Sequence, residues 1–135
     1  MSVFHRMVQT WRYLAAPRGD ARHAMRTAEI LERHGADAEL VLAGLLHDRA
    51  KPADTRLAHR IGGVLLAWLA PALRARLARG EGTFARYLDH ARRGADAARA
   101  EGRSERVVQL IARHHHPPAD ADEALLARAD REATP

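Results

Sequence analysis

The sequence predicts an all-α protein, a compact bundle of about six or seven helices. Three observations carry this expectation. The strong helix formers Ala, Leu, Arg and Glu dominate the chain. No segment sustains the apolar–polar alternation of a half-buried strand. Apolar residues recur at helical spacing instead, between short runs of Gly, Pro, Asp and Ser that suit helix ends.

Taken in order, a first helix is expected over about Val3–Ala15, ended by "APRGD". A second covers about Asp20–His34, with Gly35 as its C-cap. Asp37 then caps a helix holding Leu40 to Arg49, and Pro52 marks its end. A longer helical stretch spans about Thr55–Ala78, broken or kinked at Pro71. "RGEG" at 79–82 is a loop. Thr83–Ala100 forms the next helix, closed by Gly102. Ser104 caps "ERVVQLIARHHH", which Pro117 and Pro118 terminate. Asp120 with Glu123 three residues later forms a capping box for a last short helix through Asp130. The 135 residues make one domain, with 1–18 as an N-terminal helical arm and 19–131 as the core.

Composition removes several classes of function. The chain has no cysteine, which excludes disulfides, thiolate-bound zinc and thiol catalysis. Its longest apolar stretch, "IGGVLLAWLAPAL", is too short to span a bilayer and contains a proline. The N-terminus is amphipathic and lacks the apolar core of a signal peptide, so a cytoplasmic location and no membrane partner are expected. The net charge of +5 raises nucleic acid as a partner. Against it, the basic residues are almost all Arg, spread along the chain, and aromatics are 4% of the residues. A small anionic substrate fits the charge equally well, and nucleic acid is not the expected partner.

Chemistry concentrates in the histidines, nine in all. His23 lies in "ARHAMRTAEIL". His47 and Asp48 end the apolar run "LAGLLHDRAK". His90 lies in "TFARYLDHARRGADAA", His114, His115 and His116 end a helix before the double proline, and Asp130 closes "ALLARAD". Packed helices can aim such residues into one cavity, and burying a carboxylate is costly unless something pairs with it. A divalent metal is that partner: it offsets the buried charge of Asp48 and Asp130 and takes nitrogen from His. A sulfur-free set of His and carboxylate suits Fe, Mn, Co, Ni or Zn without choosing among them. Lys51, one turn beyond His47, is placed to bind an anionic group.

Structural readings stand beside these. A His-Asp dipeptide alone is a weak signal, and the triple His alone reads as a solvated helix end. His34 precedes a C-capping Gly, where a cation favours the helix dipole. His5 reads as a surface residue of the first helix, Asp120 and Asp122 as caps, and His59 as either a surface residue or a group reaching the site.

In combination, these residues resemble the HD superfamily of metal-dependent phosphohydrolases, over about Arg22–Asp130. The family pattern is a His on one helix, a His-Asp pair on the next and a distal Asp; here these are His23, His47 with Asp48, and Asp130. "GLLHDRAK" is similar to the extended form that ends in Lys. Two-metal members add a later His before small residues, here His90 in "HARRGADAA", and more at a helix end, here His114 and His115. The resemblance implies a helical bundle binding one or two divalent ions. His23, His47, Asp48 and Asp130 would hold the first. Asp48 would bridge to a second held by His90 and His114, with His115 in reserve. Metal-activated water would attack a phosphoester of a nucleotide or dinucleotide, with Asp48 and Lys51 as the catalytic residues and Lys51 stabilising phosphoryl charge. The chain is similar to small standalone bacterial members, among them hydrolases that split diadenosine tetraphosphate symmetrically. It departs from those in its N-terminal arm, in a tail that stops after Asp130, and in Arg92-Arg93 after His90. The competing reading is a catalytically silent HD module that binds metal or nucleotide and regulates a partner.

Overall fold

The computed structural model describes residues 19–52 and 55–134; the helix expected at Val3–Ala15, with His5, lies outside them. The described residues form eight helices and no strand: α1 (Gly19–Arg33), α2 (Ala38–Leu46), α3 (Leu57–Leu69), α4 (Pro71–Leu77), α5 (Thr83–Leu88), α6 (His90–Ala100), α7 (Glu105–Arg113) and α8 (Ala121–Ala133).

The expected ends are found where side chains satisfy orphan backbone groups. Asp37 accepts a hydrogen bond from the Leu40 N–H at 3.0 Å, Ser104 from Val107 at 3.3 Å and Asp120 from Glu123 at 2.8 Å. Gly35 and Gly102 close α1 and α6 with φ of 75° and 76°, a region glycine enters without a Cβ clash. Glu123 differs from a reciprocal capping box. Its carboxylate takes the N–H of Ala119 at 2.7 Å instead of that of Asp120, and it also receives the Arg113 guanidinium at 2.8 Å.

Two breaks raise the helix count above the expected six or seven. Pro71 has no N–H to continue α3 and starts α4 at its first position. The stretch expected as one helix over Thr83–Ala100 is interrupted at Asp89, whose φ and ψ of −110° and 17° leave the helical region. α2 stops at Leu46, short of the expected Arg49, and α8 runs three residues past Asp130.

Five helices build the core. α1 packs on α2 and α8, α2 on α7 and α8, and α6 on α7. Leu31, Leu40, Ala43, Val107, Val108, Ile111, Leu126 and Ala129 fill the space between them, each at most 2% exposed. Gly44 lets α2 sit close on α1: a Cβ there would lie 2.4 Å from the Leu31 side chain. α3, α4 and α5 form a flank joined to this core through α5 and α6. Among the described residues, no helix is long and apolar enough to cross a membrane.

Candidate metal centre

Three histidines are held by the same local device. His47 is the C-cap of α2, His114 is the C-cap of α7, and His90 follows the end of α5 across the Asp89 break. Each stands at the end of a helix, beside its last carbonyls. Their Nδ1 atoms lie 2.6, 2.6 and 2.7 Å from the carbonyl oxygens of Gly44, Ile111 and Tyr87, three residues back in each case. A carbonyl only accepts, so Nδ1 carries the proton and Nε2 is turned to the interior. The early end of α2 and the break at Asp89 both serve this arrangement.

All three Nε2 atoms face Asp48, a carboxylate 5% exposed at the first turn after α2. Its Oδ2 lies 3.4 Å from His47 Nε2 and 3.8 Å from His23 Nε2. Its Oδ1 lies 3.1 Å from His90 Nε2 and 3.4 Å from His114 Nε2. Across the cavity, Asp130 on α8 places Oδ1 at 2.6 Å from His23 and 3.2 Å from His47. His115 Nε2 approaches His90 Nε2 at 3.1 Å. Two four-donor groups result, His23–His47–Asp48–Asp130 and Asp48–His90–His114–His115, each with its ligand atoms within 4.8 Å of one another. Asp48 belongs to both.

The electrostatics show what this arrangement needs. Burial would lower the His47 pKa, but hydrogen bonds that the ring donates to Asp130 and Asp48 outweigh it and raise the ring to about 10. Burial alone would raise both carboxyls. The His114 and His47 rings beside it instead hold Asp48 well below the usual range, and those of His23 and His47 do the same for Asp130. His115 is exposed at its edge, yet partial burial of the ring, then the neighbouring His114 and His90, lower its pKa and favour a neutral ring with a lone pair to offer. Asp48 Oδ1 and His114 Nε2 are both fully buried, and neither makes a hydrogen bond of good geometry despite their proximity. Buried polar atoms left without a good hydrogen bond are costly, and a cation would satisfy these two together. The donor set, nitrogen and carboxylate oxygen without sulfur, fits a divalent transition metal.

The family model of the HD domain matches residues 20–134. The chain belongs to the HD-domain family. That family falls within a superfamily of metal-dependent phosphohydrolases, and the buried His and Asp groups of this chain fit metal binding. No curated protein and no solved structure matches the chain.

Every HD-type residue read from the sequence, His23, His47, Asp48, His90, His114, His115 and Asp130, belongs to one or both of these donor groups. Lys51 is beside them, but its Nζ lies 2.8 Å from Asp48 Oδ2, so the ammonium neutralises that carboxylate directly. His59 does not reach the cavity. Its Nδ1 accepts the Arg56 N–H at 2.9 Å at the start of α3, and its ring stacks on Phe84. His34 bonds to the Ile30 carbonyl at the end of α1, as its place before Gly35 suggests. His116 joins neither donor group.

Two supporting residues escaped the sequence reading. Thr27, fully buried one turn after His23, donates its hydroxyl to the His23 carbonyl at 2.8 Å. Tyr87 stacks on the His90 ring with centroids 5.8 Å apart and supplies the carbonyl that orients it. The i,i+4 spacing of Thr27 to His23 was a readable signal. Tyr87 had none, because the break at Asp89 was not foreseen.

Proposed function

We propose that this HD-domain protein is a metal-dependent phosphohydrolase acting on a phosphoester of a nucleotide or dinucleotide, with two divalent ions. The observation that carries the reading is the position of Asp48, with one oxygen toward each donor group. His23, His47 and Asp130 would complete the first site with Asp48; His90, His114 and His115 would complete the second. A divalent ion, when bound, supplies Lewis acidity toward a phosphoryl oxygen and makes a water nucleophilic near neutral pH.

The chain's own residues supply the rest. Three Nδ1 anchors keep the rings from rotating, so the donors are preorganised. Asp48 and Asp130 contribute the negative charge that retains the cations. Lys51, 11% exposed and already at Asp48, keeps a positive charge beside the place where a phosphoryl group would lie. The competing reading, a silent metal- or nucleotide-binding module, shares every ligand and differs only in turnover.

The experiment is steady-state hydrolysis of a generic aryl phosphodiester and a nucleotide panel, with Mn, Fe, Co, Ni and Zn each supplied and metal content measured. Hydrolysis dependent on metal and lost in Asp48→Ala is expected. Lys51→Met should keep the metal and lose on the order of a hundredfold in rate, the usual cost of removing one charge-stabilising donor. Metal bound without turnover on any substrate would favour the silent module.

A further inference from the structure

α3 is built inside out. Its inner face is glycine: a Cβ at Gly62 would lie 3.3 Å from the Phe84 ring, and one at Gly63 3.0 Å from the Tyr87 ring. Five of its large residues point away from the bundle, while Leu57 and Leu66 are partly buried. Ile61, Val64, Leu65, Trp68 and Leu69 are all at least half exposed, Trp68 and Leu69 at 83% and 80%. Leu73 and Leu77, one turn apart on α4, are exposed as well. Seven large exposed apolar residues between positions 61 and 77 exceed the singly scattered hydrophobics of an ordinary surface. Trp68 and Leu69 are the most exposed of them, just before the turn at Pro71.

Charge decides what fits this face. From Thr55 to Gly80 the chain holds Arg56, Arg60, Arg74, Arg76 and Arg79, and not one aspartate or glutamate. A second copy docked through the same face would bring two such arginine sets together with no acid from either segment to offset them. Residues 1–18 are no better matched, with Arg6, Arg12 and Arg18 and again no acid. A surface that is both negatively charged and able to accept Trp and Leu side chains complements the whole segment. Arg74 turns inward to the Leu88 carbonyl, but Arg76 and Arg79 are exposed, and exposed Trp and Leu with arginines near them suit the headgroup–acyl boundary of a bilayer.

We propose that α3 and α4 dock this protein peripherally on an anionic phospholipid surface, with Trp68 and Leu69 inserted at the boundary and Arg76 and Arg79 at the headgroups. The contact lies on the surface and needs no spanning helix. Because α3 meets Tyr87, whose ring stacks on His90, the docked face is one helix away from the second donor group.

The test is co-sedimentation of the full chain with extruded vesicles of phosphatidylglycerol and phosphatidylcholine, against phosphatidylcholine alone. Binding to the anionic vesicles only, weakened at least tenfold by raising NaCl from 0.1 M to about 0.5 M, is expected from charge screening. Trp68→Ser with Leu69→Ser should lower partitioning at least tenfold while leaving helical content and Tm unchanged, since both side chains are exposed. Phe4→Ser with Trp11→Ser should retain binding. The proposal is overturned if the parent ignores anionic vesicles, or if the Trp68/Leu69 variant binds like the parent. It is also overturned if only the Phe4/Trp11 variant loses binding. A lipid-independent dimer dissolved by the Trp68/Leu69 variant would assign the face to a second copy instead.

Discussion

The five-helix core and the α3–α4 flank place their residues on opposite plans. In the core, small residues lie at helix crossings and Leu, Ile and Val fill the spaces between, as with Gly44 against Leu31. In the flank, the glycines of α3 face inward and Val64, Leu65, Trp68 and Leu69 face solvent. The difference teaches where rigidity is required. Three helix ends, α1 and α8 must hold rings and carboxylates within a few ångströms, and close packing supplies that precision. The flank carries none of the donor residues, so its apolar surface is free to serve contact instead of cohesion.

The sharpest way to break this contrast is truncation of one leucine in each region. Leu126→Ala, at a site 1% exposed, should cost about 2–5 kcal/mol in a denaturant titration, through lost burial and the cavity left behind. Leu69→Ala should stay within about 0.5 kcal/mol of the parent. Equal losses would show that the flank is packed against something in the monomer. A smaller effect separates the two sets of glycines. Gly44→Ala forces a methyl onto Leu31, which is fully buried and has no room to move, and should cost about 1–3 kcal/mol of stability. Gly63→Ala meets a half-buried Tyr87 ring at 3.0 Å and should cost less in the same thermal melt.

The smallest effect comes from the charged clamp on the core's surface. Arg106 on α7 binds Asp37 and Glu39 at the start of α2 and Asp122 at the start of α8. Its hydrogen bonds hold the Asp37 and Glu39 carboxyls below their ordinary values. Carboxyls with depressed folded pKa values contribute stability above their unfolded values, and that contribution is lost as pH falls through the folded ones. Arg106→Ala should therefore lower Tm modestly at pH 7, and the two Tm values should converge below about pH 4, near the ordinary carboxyl range. A constant gap down to pH 3 would mean that Arg106 acts through packing.

Much of this was legible because its signals are local. Asp37, Ser104, Asp120, Gly35 and Gly102 announce helix ends through side-chain and backbone chemistry within a few residues. The donor residues were legible as types at helix ends, and their combined order resembled one family. The break at Asp89 was not legible, since Asp within a run of helix formers marks no stop by itself; the need to turn His90 inward is a tertiary demand. The inverted face of α3 was hidden for a related reason. Periodicity shows that a helix has an apolar side, but whether that side faces the bundle depends on Gly62 and Gly63 meeting Phe84 and Tyr87. The pairing of Lys51 with Asp48 followed from their i,i+3 spacing, although the sequence reading assigned the lysine to substrate.

Sharing of Asp48 between two donor groups is the central claim, and metal counting tests it most directly. Elemental analysis of the purified chain after loading with Mn or Fe should approach two ions per chain. His90→Ala should keep one, and Asp48→Ala should lose nearly all, with a Tm lowered to that of the stripped parent because ions bound to the folded state alone stabilise it. Metal content unchanged in Asp48→Ala would contradict the claim outright, and a parent that saturates at one ion, undiminished in His90→Ala, would contradict the second site.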